Sequence, residues 1–186
     1  VNSGSLTVNG SGSLSLPTVN VPGGTLRLDG PAGVSLSPIL TLGSGVAGGA
    51  TLFINSGAPV VLNELFINGA IIDGAHDMTV TTQLAVTGNE SAILRGSGTL
   101  TTQGFTILDV SSVSGSINVG GSRSWVNDGT VNVLGDDAIN LGVGAGSNTV
   151  LTNTASGVIN LSSSFATPIL LAGGTATINN AGTIGQ

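Results

Sequence analysis

Charged and aromatic residues are scarce in this sequence, and cysteine and lysine are absent. Among 186 residues only 6% are charged and 3% aromatic, and three arginines stand against nine acids for a net charge of −6. The lack of cysteine excludes disulfides, thiolate metal sites and a cysteine nucleophile. Nucleic-acid binding is excluded as well, because a phosphate backbone is recognised by clustered lysine and arginine.

The sequence also lacks long hydrophobic runs. The longest ones, such as residues 59–62 and 168–172, fall far short of the roughly 20 apolar residues that cross a bilayer. We therefore expect no membrane insertion of this segment. No initiator methionine, signal peptide or terminal cap is recognisable, and we interpret the chain as an excerpt of a longer protein.

Glycine and aliphatic residues dominate what remains. There are 31 glycines, and 40% of the residues are hydrophobic, mostly Val, Ile, Leu and Ala. Disordered chains combine low hydrophobicity with high charge, so this chain is expected to fold. Apolar residues recur in alternating pairs between clusters of Gly, Ser, Thr and Asn, which indicates short β-strands rather than helices. The pairs of the N-terminal half are Leu6/Val8, Leu14/Leu16, Leu26/Leu28, Leu40/Leu42, Leu52/Ile54 and Leu65/Ile67.

The C-terminal third repeats itself. Gly129, Gly157 and Gly182 mark equivalent positions, 28 and 25 residues apart. A period of this length is typical of repeat architectures, whereas an antiparallel sandwich has no reason to repeat every third strand. We predict an all-β, right-handed, single-stranded parallel β-helix with three short strands per coil and about seven to nine coils. It forms a single segment over residues 1–186, with the clearest repeats in 120–186.

Inward-pointing residues of successive coils are expected to stack in a dry aliphatic column. In the repeat this places Val131 on Ile159 and Val133 on Leu161, because alternate residues of a strand point to the same side. The asparagines between them are expected to face solvent.

A second column is predicted at one corner of the coil. Asn127, Asn153 and Asn180 each precede the marker glycine of their repeat, where stacked side-chain amides can bond to one another along the axis. We expect the glycines that follow, Gly129, Gly157 and Gly182, to supply the positive φ of this turn.

The repeat units resemble a known class of surface proteins. Residues 153–159 (Asn-Thr-Ala-Ser-Gly-Val-Ile) and 179–184 (Asn-Asn-Ala-Gly-Thr-Ile) resemble the passengers of autotransporters and filamentous-haemagglutinin-like adhesins of Gram-negative bacteria. The resemblance implies a right-handed β-helical passenger that is exported across the outer membrane to the cell surface. It implies host or bacterial surface glycans or proteins as partners, and we expect no cofactor.

Paired aspartates form the sharpest chemical motif. Asp136 and Asp137 look like the Gly-Asp-Asp segment of β-helical polygalacturonases, in which two carboxylates act across a glycosidic bond. No His, Lys or Arg follows them, however, and the alternative is a turn in which the carboxylates accept backbone N–H bonds. Asp109, Ser111 and Ser112, like Asp136 and Asp137, offer loop oxygens for calcium, but the calcium-binding nonapeptide of β-rolls is absent.

His76, the only histidine, lies between Asp73 and Asp77 and makes a candidate metal site. On an extended chain these three side chains alternate sides, and no second imidazole is available. A surface loop is therefore the favoured interpretation.

Two further features concern binding surfaces. Thr79 and Thr81 precede Thr99 and Thr101 by 20 residues, and such Thr-x-Thr pairs can stack into a flat face of the kind that binds ice. Two rungs are too few to predict binding. Trp125 is either an exposed platform for a sugar ring or, more commonly for an aromatic in a strand, part of the core edge.

These observations favour a non-catalytic exported stalk and display surface. Adhesion is expected from a flat face rich in hydroxyls and amides, or from the loops at residues 43–49 and 142–147. One alternative is a self-assembling subunit whose terminal coils pair end to end into a filament. Another is a polysaccharide-degrading enzyme similar to polygalacturonases.

Overall fold

A computed structural model of the chain describes residues 3–9, 18–30, 39–111 and 114–186, and these form a parallel β-solenoid of about six turns without a helix. Leu14, Leu16 and Ser112 lie outside these residues. The strands are β1 (Ser5–Asn9), β2 (Thr18–Val21), β3 (Gly24–Gly30), β4 (Ile39–Leu42), β5 (Ala50–Ser56), β6 (Val60–Ile67), β7 (Ala70–Gly74), β8 (Met78–Gly88), β9 (Ala92–Leu94) and β10 (Thr99–Thr102). They continue as β11 (Phe105–Val110), β12 (Ser116–Gly120), β13 (Ser124–Asn127), β14 (Thr130–Val133), β15 (Ala138–Val143), β16 (Asn148–Asn153), β17 (Val158–Leu161), β18 (Ile169–Leu171), β19 (Thr175–Asn180) and β20 (Thr183–Gly185).

The strands build three lateral faces. The first face is an eight-stranded sheet in the order β1-β3-β5-β7-β9-β12-β15-β18. The second and third faces belong to one twelve-stranded sheet, because β6 and β8 bend around the corner between them. The second face continues through β10, β13, β16 and β19, and the third face contains β2, β4, β11, β14, β17 and β20. The named strands pair in parallel, which confirms the predicted solenoid.

The number of turns is lower than predicted. The structure has about six turns where the period indicated seven to nine. Turns differ in length, from the 18 residues that separate the paired Val60 and Met78 to the 30 that separate Ile139 and Ile169. In addition, the second face has only six described strands, whereas the first face has eight, so some turns contribute no described strand to the second face. The prediction of three strands per coil holds from β9 onward, where the faces follow one another in order.

The core is a stack of aliphatic side chains. Val131 pairs with Ile159 and Val133 with Leu161, which confirms the predicted column. Removing each such side chain from water stabilises the fold by roughly 1.5 to 3 kcal/mol. Trp125 is completely buried in the same interior, and its Nε1–H donates to the Thr102 hydroxyl 3.0 Å away. The hypothesis of an exposed sugar platform at this residue is therefore wrong.

The marker glycines are required for a different reason than the sequence suggested. Gly129, Gly157 and Gly182 do not have positive φ. They lie where successive coils approach each other closely: an added Cβ would come within 2.0 Å of the Gly104 carbonyl oxygen at Gly129 and within 2.1 Å of the Gly157 oxygen at Gly182. The predicted turn geometry is wrong, and the space between stacked coils is what excludes a side chain.

Candidate functional site

The paired aspartates lie at a corner between β14 and β15 and bond to backbone. Asp137 is fully buried, and its Oδ2 accepts a 2.6 Å hydrogen bond from the Val110 amide. Asp136 accepts from the Ser114 amide at 3.0 Å. Burial raises the pKa of the Asp137 carboxyl, and the Val110 amide opposes this shift. Asp137 has no exposed surface in this structure, and its hydrogen bond from a backbone amide is the geometry of the turn alternative.

Each acid of the His76 segment is engaged in a different interaction. Asp73 forms an ion pair with Arg95, 2.8 Å from Oδ2 to Nε. Asp77 accepts a 2.7 Å hydrogen bond from the amide of Thr99 in the next coil. Within the described ranges, no three His, Cys, Asp or Glu residues come together in a way that would hold a metal ion.

The asparagines of the repeat form a hydrogen-bonded column, which we call the corner ladder: Asn127, Asn153 and Asn180. Asn127 Nδ2 donates to Asn153 Oδ1 at 2.8 Å, and Asn153 Nδ2 donates to Asn180 Oδ1 at the same distance. Each amide also donates to a main-chain carbonyl of the next coil, Val158 or Thr183. Asn127 and Asn153 are completely buried, so these two residues join coils and present no surface to a ligand, whereas Asn180 in the last coil is exposed.

Two further amide pairs lie on the outside of the solenoid. Asn140 donates to Asn118 at 2.8 Å on the first face, and Asn160 donates to Asn132 at 2.9 Å on the third. These four residues are half-buried and point away from the core, as expected for the asparagines between the inward valines. The sequence did not reveal that they are joined across coils.

All three arginines of the chain are engaged by other groups. Arg27 forms an ion pair with Asp29, and Arg95 pairs with Asp73. Arg123 is buried, and its guanidinium donates to main-chain carbonyls of two neighbouring coils. Burial lowers the pKa of Arg123, although the charges of nearby aspartates oppose the shift. The lateral faces therefore offer no unpaired arginine to an anionic ligand.

An apolar patch interrupts the third face. Phe66 and Ile107 lie in one column, on either side of the small Ala85. Phe105 lies in the adjacent column between Gln83 and Thr130, and 61% of its surface is exposed. We call Phe66, Phe105 and Ile107 the Phe105 patch. Exposed aromatic groups of this kind commonly mark contact surfaces.

The second face carries two outward columns of small uncharged side chains, which we call the threonine–valine face. One column contains Thr99, Ser124, Val150 and Thr177, and the other Val61, Thr79, Thr101, Val126, Thr152 and Asn179. The two Thr-x-Thr motifs do not lie directly over each other. Thr101, the second threonine of one motif, pairs with Thr79, the first threonine of the other, and Thr99 lies next to the turn at Asp77. Sequence reasoning missed the other rungs because Val, Ser or Asn replaces one or both threonines in them.

The last coil of the chain, made of β18, β19 and β20, exposes part of the core. Leu171 is 60% and Ile178 46% exposed. An open apolar depression lies against this coil, and its lining residues are Leu141, Ile169, Leu170, Leu171, Ala176 and Ile178.

The fold places the chain among the parallel β-solenoids. No protein-family model, curated protein or solved structure matches it. None of the described segments forms a helix with the length and hydrophobicity needed to span a bilayer.

Proposed function

We propose that the chain is a non-catalytic segment of an exported bacterial surface protein, a stiff stalk that displays its lateral faces and adheres to uncharged glycans through the Phe105 patch. The observation that carries the proposal is the exposed Phe105 ring on a flat side of the solenoid. The resemblance of the repeat units to autotransporter and haemagglutinin-like passengers supports the surface location.

The stalk role follows from the way the coils stack. An internal strand such as β14 is hydrogen-bonded to β11 on one side and to β17 on the other. Each coil therefore contacts only its neighbours, and the stack resists bending and proteolysis while it can form one coil at a time. Such folding suits a chain that emerges gradually during export.

The choice of an uncharged glycan rests on the chemistry around the patch. A sugar ring presents a C–H face that packs on an aromatic ring, and hydroxyls that bond to amides. Gln83 and Thr130 flank Phe105 in its column, and Asn132 lies in the next column. Arg27 and Arg95 belong to the first face and are paired, so the third face has no arginine for an acidic sugar.

Replacing Phe105 by alanine tests the adhesive role. We expect Phe105→Ala to weaken glycan binding about ten-fold, because the stacking surface is lost while the fold is kept. The measurement is binding of the fluorescently labelled protein to an array of neutral and acidic glycans. Phe53→Ala on the first face is the matched control and should bind like the unaltered protein. Failure of the unaltered protein to bind any glycan, or equal binding by both variants, would refute the glycan contact.

A further inference from the structure

The threonine–valine face is regular in two directions. Along the solenoid axis its columns follow the parallel register of the second face, so Thr79, Thr101, Val126 and Thr152 lie directly over one another. Along each strand, residues two apart point to the same side, as Thr99 and Thr101 do. General strand geometry spaces the rungs about 4.8 Å apart and the two columns about 6.6 Å apart.

Most side chains of this face are stiff. Threonine and valine are β-branched, which restricts χ1 and holds each methyl or hydroxyl at a fixed height above the sheet. Neighbouring rungs restrict them further, because each outward side chain inside a column has one directly above and one directly below it. The face is therefore an ordered array before any ligand arrives, and binding costs little side-chain entropy.

The hydroxyls of the array are available to solvent. In the part of the chain that the structure describes, the side chains of Thr79, Thr101 and Thr152 bond to no protein atom. All three are half-exposed, and neither column contains a charged or aromatic residue. The hydroxyls form hydrogen bonds with water. The methyl groups between them form none, and the water molecules beside them are restricted in orientation.

We propose that the threonine–valine face binds ice. A ligand that matches a stiff, uncharged, two-dimensional array must itself be a regular lattice that accepts hydrogen bonds from hydroxyls. The rung spacing is close to the oxygen repeat along one axis of hexagonal ice. A crystalline polysaccharide fits less well, because the face offers no aromatic ring for sugar stacking. The proposal does not depend on the Phe105 patch, which lies on another face.

The experiment partitions the labelled protein between a slowly growing ice hemisphere and the remaining liquid. We expect the unaltered protein to enter the ice and to shape single ice crystals into facets. The double variant Thr101→Lys with Thr152→Lys should remain in the liquid, because two long hydrated ammonium groups hold the face away from the lattice. Thr130→Lys introduces one such ammonium group on the third face and should enter the ice normally.

A second variant separates binding from folding. Thr101→Val with Thr152→Val keeps the shape and the β-branching, and circular dichroism melting should show that all variants remain folded. We expect this variant to keep part of the partitioning, since the methyl array survives. Exclusion of the unaltered protein from ice, or equal loss with Thr130→Lys, would overturn the proposal. Pull-down by crystalline cellulose without entry into ice would assign the face to a polysaccharide instead.

Discussion

Replacing Asn153 by alanine is expected to lower the free energy of unfolding by about 3 to 5 kcal/mol, because the change removes the centre of a buried hydrogen-bond network. Asn153 Nδ2 donates to Gly157 O, Asn180 Oδ1 and Thr183 O, and its Oδ1 accepts from Asn127. Without it, the Asn127 amide and the Gly157 carbonyl lose a partner in the buried interior, and the Thr183 carbonyl loses one in the more exposed last coil.

The matched control for Asn153→Ala is Asn160→Ala. Asn160 donates to one neighbour, Asn132, and is half-exposed, so water replaces the lost bond. We expect its loss to cost less than about 1 kcal/mol. Urea unfolding followed by circular dichroism measures both. Equal destabilisation by the two variants would show that the corner ladder contributes no more than a surface amide pair.

The corner ladder was predictable from the sequence, because in-register stacking makes a repeat visible. Asn127, Asn153 and Asn180 occupy the same place in each unit, and parallel pairing of identical units puts like residues over like. The Val131 and Ile159 column follows from the same rule. Where units repeat, sequence distance translates directly into spatial contact, and the fold class follows.

The N-terminal half was less predictable, because its turns have unequal lengths. The threonine motifs illustrate this: a spacing of 20 in sequence suggested that Thr79 stacks on Thr99, yet Thr79 pairs with Thr101. One turn takes two residues more than the motif spacing. The Phe105 patch was missed for the same reason, since Phe66 and Ile107 meet across Ala85 only in the observed register.

The acidic residues show what composition alone does not resolve. Asp136 and Asp137 fit both a catalytic pair and a turn, and only the burial of Asp137 with its bond to the Val110 amide distinguishes the two geometries. Similarly, Asp73 and Asp77 are close to His76 in sequence, but their partners, Arg95 and the Thr99 amide, come from the next coil. Contacts between coils are invisible to a local motif.

Gly129→Ala is expected to destabilise the solenoid by about 3 kcal/mol or more, the upper part of the range for overpacked interiors. The added methyl would lie 2.0 Å from the Gly104 carbonyl oxygen and 2.6 Å from that of Gln103. Neither is a movable side chain: the Gly104 oxygen already accepts the Thr130 amide at 3.0 Å. Two coils have to separate to make room for the methyl group. This separation breaks the pairing of β11 with β14 beside the corner.

The effect of Gly129→Ala is steric and not conformational, because Gly129 lies outside the left-handed region. Gly185→Ala separates the two causes, since an added Cβ there meets nothing within 4 Å. Alanine reduces the entropy of the unfolded chain, so Gly185→Ala should leave stability unchanged or raise it by up to about 1 kcal/mol. Thermal unfolding of both variants measures the difference. If the Gly129→Ala and Gly185→Ala variants melt at the same temperature, the coils are not held at the close spacing that Gly129, Gly157 and Gly182 imply.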